Sequence, residues 1–229
     1  MKKTISTIFF ILLIVNFISA QKKQFITVPA GSRVHDCIPF EARYSFPEFK
    51  DGKVFFRNGA FADTKLNYNF LLSNMEYIQG ADTLSIANPS EILLIAFVAD
   101  TFCYYDGYLE IIRNGHLKVA LRQNLSLKEI LKRDSYGASS SNSSTDSYKT
   151  LQTEANSYKL ISNQDRVFEK TTQYYISNPS SNFVPFNKKK VFQLFPQKKE
   201  AIQEYLKTNK LDFNSKNDLM QLAGFLEKL

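Results

Sequence analysis

The sequence predicts a mainly β (α+β) protein: an antiparallel β-meander forming a sandwich or barrel-like body, with a small C-terminal helical pair. Three observations lead there. The chain carries 20 Phe and 12 Tyr but no Trp, an aromatic loading that favours strands. Between Gly52 and Arg122, short apolar runs alternate with Gly, Asn and Asp turn signals roughly every eight to twelve residues. That spacing leaves no room for the helical crossovers of a parallel sheet. Beyond Lys188 the apolar residues shift to helical spacing.

The elements follow in order. Residues 21–50 are extended and irregular, punctuated by Pro29, Gly31, Pro39 and Pro47, with a first strand at Phe25–Val28. Lys53–Arg57 and Ala60–Tyr68 flank Asn58-Gly59, the strongest short hairpin signal. Leu71–Ile78 and Thr83–Ala87 flank Gly80-Ala81-Asp82. Ile92–Val98 is a continuous apolar run, expected as a strand buried on both faces. Phe102–Tyr105, the turn Asp106-Gly107 and Tyr108–Ile112 come next, then a second hairpin at Asn114-Gly115 leading into His116–Leu121. Ser126-Leu127-Lys128-Glu129 has the form of a capping box, so a short helix to about Arg133 is expected to close the β-block over 21–133.

Residues 134–147 are Ser-rich and have little to bury, which predicts a mobile loop or linker. The segment 148–187 adds strands at Tyr158–Ile161, Val167–Ile176 and Phe183–Phe186, the last two joined through Asn178-Pro179-Ser180-Ser181. Residues 188–229 are helical and expected to pack on the body. Pro196 suits a first helical turn, with Ala201, Ile202, Tyr205 and Leu206 at helical spacing. Ser215 is a good N-cap, with Asp218 three residues on and a stripe of Leu219, Leu222, Leu226 and Leu229.

The first 20 residues have the form of a cleaved signal peptide. Lys2 and Lys3 precede an apolar run from Ile8 to Ile18, and Ser19-Ala20 supplies a small residue before the cut. The run is about half of what a spanning helix needs. Ile18 and the positive Lys22 and Lys23 fit the pattern less well. No Cys stands at the cut for a lipid, and no later segment is long and apolar enough to span a bilayer. The expectation is a protein exported to the periplasm or beyond, soluble after cleavage.

The formal charge is +7; without Lys2 and Lys3 it is +5. An exported basic chain is not expected to meet nucleic acid. Its expected partners are another protein, a cell-surface polymer or, weakly, an anionic membrane surface. Cys37 and Cys103 are the only cysteines. They are too few for a disulfide framework, and sequence leaves open whether they pair.

Gly52-Lys-Val-Phe-Phe-Arg-Asn-Gly59, Lys65-Leu-Asn-Tyr-Asn-Phe-Leu-Leu72 and Met75-Glu-Tyr-Ile78 resemble blocks of a group of uncharacterised exported (periplasmic/secreted) proteins of Bacteroidota. The tail Asn187-Lys-Lys-Lys190, Leu194-Phe-Pro196 and Tyr205-Leu-Lys-Thr-Asn-Lys210 is similar to that group's as well. The resemblance implies an exported compartment and a β-rich body with a helical end. It implies no activity and no site residue.

Candidate chemistry is sparse. His35-Asp36-Cys37 contains a base, an orienting acid and a nucleophile. Consecutive side chains on an extended chain point apart, however, so a partner is needed from elsewhere, and His116 is the only other His. His35, Cys37, Cys103 and His116 have the atoms of a zinc site but none of its spacings. The acids Glu41, Glu48, Asp51, Asp63, Glu76, Asp82, Glu91, Asp100 and Asp106 are expected to be solvated surface charge. Tyr104-Tyr105-Asp106-Gly107-Tyr108 is better read as cross-strand pairs than as a sugar-binding patch. Lys188–Lys190 and Lys198-Lys199 flank Val191, Phe192, Leu194 and Phe195, a basic amphipathic stretch read as a solvated face. Asn124-Leu-Ser126 and Asn142-Ser-Ser144 match the glycosylation pattern, which carries no such meaning in a bacterial chain.

The sequence therefore assigns no catalytic, cofactor-binding or metal residue. It favours a non-catalytic binding or structural component of the cell envelope. The rival is an envelope hydrolase with a carboxylate or Cys-His site, which requires a deep pocket with converging polar groups. A binding module requires a shallow aromatic patch or a free sheet edge.

Overall fold

The backbone of the molecule is a ladder of two long antiparallel strands, Val119–Arg133 and Asp165–Ser177, paired from Val119↔Ile176 to Leu131↔Asp165. The computed structural model describes residues 25–133, 139–142, 164–177 and 182–229. The expected signal peptide, the Tyr158–Ile161 strand and the 178–181 turn lie outside the described residues.

Among the described residues, twelve strands form one antiparallel sheet. They are β1 (Phe25–Val28), β2 (Lys50–Phe56), β3 (Phe61–Asn69), β4 (Asn74–Gln79), β5 (Asp82–Ser85) and β6 (Ile92–Ala96), then β7 (Thr101–Tyr104), β8 (Tyr108–Arg113), β9 (Val119–Arg133), β10 (Ser139–Asn142), β11 (Asp165–Ser177) and β12 (Phe183–Pro185). The order is β1-β11-β9-β8-β7-β6-β2-β3-β4-β5, with β10 added to β9 and β12 to β11. From β2 to β9 most neighbours in sequence are neighbours in space, which is the expected meander.

The sheet rolls up. β3 and β9 are not neighbours in the strand order, yet the end of β3 meets the middle of β9. Leu125 N donates to Phe70 O at 2.9 Å. Asn124 Oδ1 accepts from Tyr68 Oη at 3.0 Å and from Ser73 Oγ at 3.1 Å. Strands β3-β2-β6-β7-β8-β9 thus enclose a barrel-like core containing Leu66, Tyr68, Met75, Ile92, Ile95, Phe102, Tyr108 and Phe168.

A second core lies at one end of the β9/β11 ladder. Among the described residues, three helices, α3 (Lys188–Leu194), α4 (Lys199–Asn209) and α5 (Lys216–Leu226), follow two one-turn helices near the start, α1 (Val34–Cys37) and α2 (Phe40–Arg43). The later three cover Val119, Leu121, Tyr174 and Ile176 with Val191, Ile202, Leu219, Leu222 and Leu226. Each fully buried leucine there contributes roughly 1.5–3 kcal/mol. Ser215 caps α5, its Oγ accepting from Asp218 N at 3.3 Å, as the sequence indicates. Leu229 falls off the buried stripe and is 37% exposed.

Several expectations are corrected. The helix over 126–133 is absent: these residues continue β9. Leu125 and Leu127 alternate with period two onto the core beside Phe168, a burial that a helix, placing them on different faces, forfeits. Side chains of this stretch work across the sheet instead. Ser126 Oγ lies 3.2 Å from Thr171 Oγ1, and Lys128 Nζ is 3.5 Å from Glu169 Oε2. Within the Ser-rich stretch, Ser139–Asn142 pairs with Ile130–Arg133 as β10. The irregular stretch 21–50 holds the single turns α1 and α2.

Ile92–Val98 is buried on one face only. A bulge against β2 pairs Phe55 with Leu94 but Phe56 with Ile92, which leaves Leu93 as the extra residue. Ile92 and Ile95 therefore both face the core while Leu93 is half exposed. Asn114-Gly115 is part of a longer loop, since Arg113 pairs with Val119. Glu76, expected at the surface, is fully buried. It accepts from Tyr44 Oη at 2.7 Å and Asn69 Nδ2 at 3.0 Å, and its other oxygen lies 3.4 Å from Ser85 Oγ.

Candidate functional site

The first Asn-Gly hairpin sets up a patterned surface. Val54 and Leu66 point into the core, so their neighbours on β2 and β3 point outward. The register places Phe55 opposite Phe61, Lys53 opposite Asp63, and Asp51 opposite Lys65. Three cross-strand rows result: one aromatic and two of opposite charge, with the signs alternating like a checkerboard. Lys53 Nζ is 3.5 Å from Asp63 Oδ1 and 4.6 Å from the centre of the Phe61 ring. Phe61 remains 62% exposed.

A groove of about 710 Å³, open to solvent, is lined by the two charged rows together with Gly52, Thr64, Ile78, Ala96, Phe97 and Val98. Gly52 shapes it. A Cβ at Gly52 would stand 3.0 Å from Leu66 Cδ1 and from the Phe97 ring, too close to tolerate without shifting packed side chains. Phe97 is held in turn by Phe46, at 4.9 Å between ring centres, and Phe102, at 5.9 Å. Val98 is fully exposed beside it. The groove bears charged and apolar groups together on one open surface.

A second group of titratable side chains lies inside, in the seam between the barrel core and the helical cap. Glu110 on β8, Gln123 on β9, and Lys170 and Thr172 on β11 share one face of the sheet. Gln123 Nε2 donates to Thr172 Oγ1 at 3.1 Å, and Lys170 Nζ sits 3.7 Å from the centre of the Phe70 ring. Burial pushes the Glu110 carboxyl above its usual range, and nearby Asp100 adds to the rise while Lys216 and Lys170 oppose it. Burial pushes the Lys170 amine down, partly offset by Glu110. Tyr68 and Tyr108 are likewise shifted upward by burial. The Tyr108 hydroxyl is buried with no hydrogen-bond partner among the described residues. The cavity that Tyr68, Tyr108, Glu110 and Gln123 line with three apolar neighbours is about 10 Å³, room for about one water molecule and none for a substrate.

The residues singled out from sequence do not converge. His35 Nδ1 is 3.4 Å from Asp36 Oδ1 on the surface turn α1, while Cys37 packs against the barrel core. His116 is exposed in the β8–β9 loop. Cys103 packs with a small third cluster of Leu109, Ala120, Tyr175 and Phe183. Both thiols are free. Among the described residues no three His, Cys, Asp or Glu are grouped to hold a metal ion. Tyr104 and Tyr108 are a cross-strand pair with ring centres 5.2 Å apart. In the lysine-rich stretch Val191 is buried, and Lys188 and Lys199 each lie 5.9 Å from the centre of the Phe192 ring. Asn124 is engaged in the β3–β9 closure. The charged rows of the groove went unread in sequence, although opposite charges at alternate positions on both sides of Asn58-Gly59 were their signal. The seam had none, because Glu110 and Lys170 are 60 residues apart and meet only through the β8–β9–β11 pairing.

In comparisons with protein-family models, curated proteins and solved structures, no match to the chain was found. Among the described residues no helix is long and apolar enough to cross a membrane.

Proposed function

We propose that the chain is an exported, non-catalytic binding or structural component of the cell envelope, and that it binds through the outer face of β2, β3 and β6. The observation that carries this reading is the groove. It is a concavity of about 710 Å³, open to solvent across β2, β3 and β6, that mixes exposed Val98 and the Phe97 ring with cross-strand Lys and Asp, beside exposed Phe61. Such composition suits contact with another macromolecule. Of the titratable groups with displaced ionisation, by contrast, Tyr68, Tyr108 and Glu110 are enclosed around a water-sized space, so a hydrolase gains no support from them. Export rests on the form of the first 20 residues and on the resemblance to exported Bacteroidota proteins.

Site-specific photo-crosslinking in the native host tests the reading. A crosslinker at Val98 is expected to capture a polypeptide or surface polymer, whereas one at Glu204, exposed on α4, is not. Equal capture at both positions, or none at Val98, overturns it.

A further inference from the structure

We propose that the groove face is an isologous interface and that its partner is a second copy of this chain. This rests on the reading of the groove as a binding surface. The argument is one of symmetry. The face presents Phe61–Phe55, Asp63–Lys53 and Lys65–Asp51 in successive rows, β3 on one side and β2 on the other. A two-fold axis running along the strands, midway between β2 and β3, exchanges the columns of a facing copy and leaves the rows in place. Asp63 then meets Lys53 of the second copy, Lys65 meets Asp51, and Phe61 meets Phe55. Every charge faces its opposite, and the aromatic row faces the aromatic row.

The other in-plane axis, across the strands, also pairs the charges. It carries Phe61 onto the Asn67 position, however, where Asn67 is buried beneath the chain at Phe46–Glu48. The apolar row therefore selects the axis along the strands, the aligned geometry of face-to-face sheet packing. A self-complementary patch is what a two-fold dimer requires. The long lysine stems of one copy reach into the groove of the other. The sheet edges are poorer partners: β5 and β1, at the ends of the strand order, are only four residues long, the form in which natural sheets blunt their edges.

Sedimentation velocity of the purified exported chain over a concentration series tests this. The expected result is a reversible monomer–dimer equilibrium. Lys53→Glu/Lys65→Glu makes the face wholly acidic and Asp51→Lys/Asp63→Lys makes it wholly basic, so each alone is expected to sediment as a monomer. Mixed, the two are expected to form a heterodimer. A monomeric wild type, a dimer indifferent to both variants, or a mixture that stays monomeric overturns the proposal. If a double variant loses its β-sheet circular dichroism, Asp63→Lys alone replaces it; the symmetry counts this change twice, and about a tenfold or greater weakening is expected. A monomeric wild type together with capture of another molecule at Val98 in the host overturns self-pairing and leaves the binding reading standing.

Discussion

Glu227 on the helical cap clamps Arg113 at the end of β8: Arg113 Nη2 donates to Glu227 Oε2. The other carboxylate oxygen accepts from Leu117 N at 2.9 Å. One carboxylate thus ties the residue after α5 to both sides of the β8–β9 loop, across the boundary between helices and sheet. The Leu117 amide, and then the Arg113 hydrogen bond, hold the Glu227 carboxyl below its ordinary range.

Replacing Glu227 by Gln removes the charge and keeps the shape. The expected cost at pH 7 is about 1–2 kcal/mol, read from urea unfolding. The pH dependence has a definite sign. The folded chain binds this proton more weakly than the unfolded chain, so the contribution is whole above the unfolded carboxylate value, about 4.3, and is lost as pH falls through the lower folded value. The difference between wild type and Glu227→Gln is therefore expected to shrink on acidification toward pH 3. A constant difference would show that the charge is not what holds the cap.

Gly115 is the other half of this arrangement. Its φ lies outside the left-handed region, so turn geometry does not demand glycine there. A Cβ at this position collides with Glu227 Oε1. Gly115→Ala is expected to destabilise by about 1–3 kcal/mol. In a Glu227→Ala background the same change is expected to cost almost nothing, because the obstructing carboxylate is gone. Additive losses in the double-mutant cycle would refute the link.

The same glycine shows how far sequence reaches. Asn114-Gly115 announces a tight hairpin, the chain forms a longer loop there, and the reason for the glycine lies at the end of a helix more than 100 residues away. Local signals were legible where local chemistry decides: the Asn58-Gly59 hairpin, the Asp106-Gly107 turn, the Ser215 cap. They failed where long-range pairing decides. Ser126–Glu129 has the form of a capping box, and twelve pairings with β11 make it strand. Leu93 belongs to an apolar run, and a bulge turns it outward. Glu76 is an ordinary acid in sequence; Tyr44 and Asn69, which allow its burial, come from distant and near chain alike. The groove was half legible, since its charge alternation is written on either side of a readable turn. The Glu110–Lys170 seam was not, because it exists only once the sheet has rolled.

Two tyrosines in that rolled core have opposite expectations. The Tyr68 hydroxyl donates to Asn124 Oδ1 at the barrel closure, so Tyr68→Phe is expected to cost about 1 kcal/mol. The Tyr108 hydroxyl is buried without a partner among the described residues. Burying an unpaired hydroxyl is unfavourable, so Tyr108→Phe is expected to be neutral or stabilising. Urea midpoints of the two variants decide the matter. A loss at Tyr108 as large as that at Tyr68 would mean that its hydroxyl is satisfied in the folded protein.

Cys103 supplies a kinetic readout of the packing around β7. Burial against the small cluster at Leu109 and Tyr175 pushes its thiol up to about 11, against the opposing pull of Lys118 and Arg57. Alkylation proceeds through the thiolate. In a Cys37→Ser background at pH 8, iodoacetamide is therefore expected to modify the folded chain about a hundredfold more slowly than the chain unfolded in guanidinium, whose thiol titrates near its free value of about 8.5. The folded rate is expected to rise about tenfold per pH unit up to pH 10, still short of the folded thiol's range. A rate that levels off near pH 9 would show that labelling occurs through an opened state in which Cys103 has left its cluster.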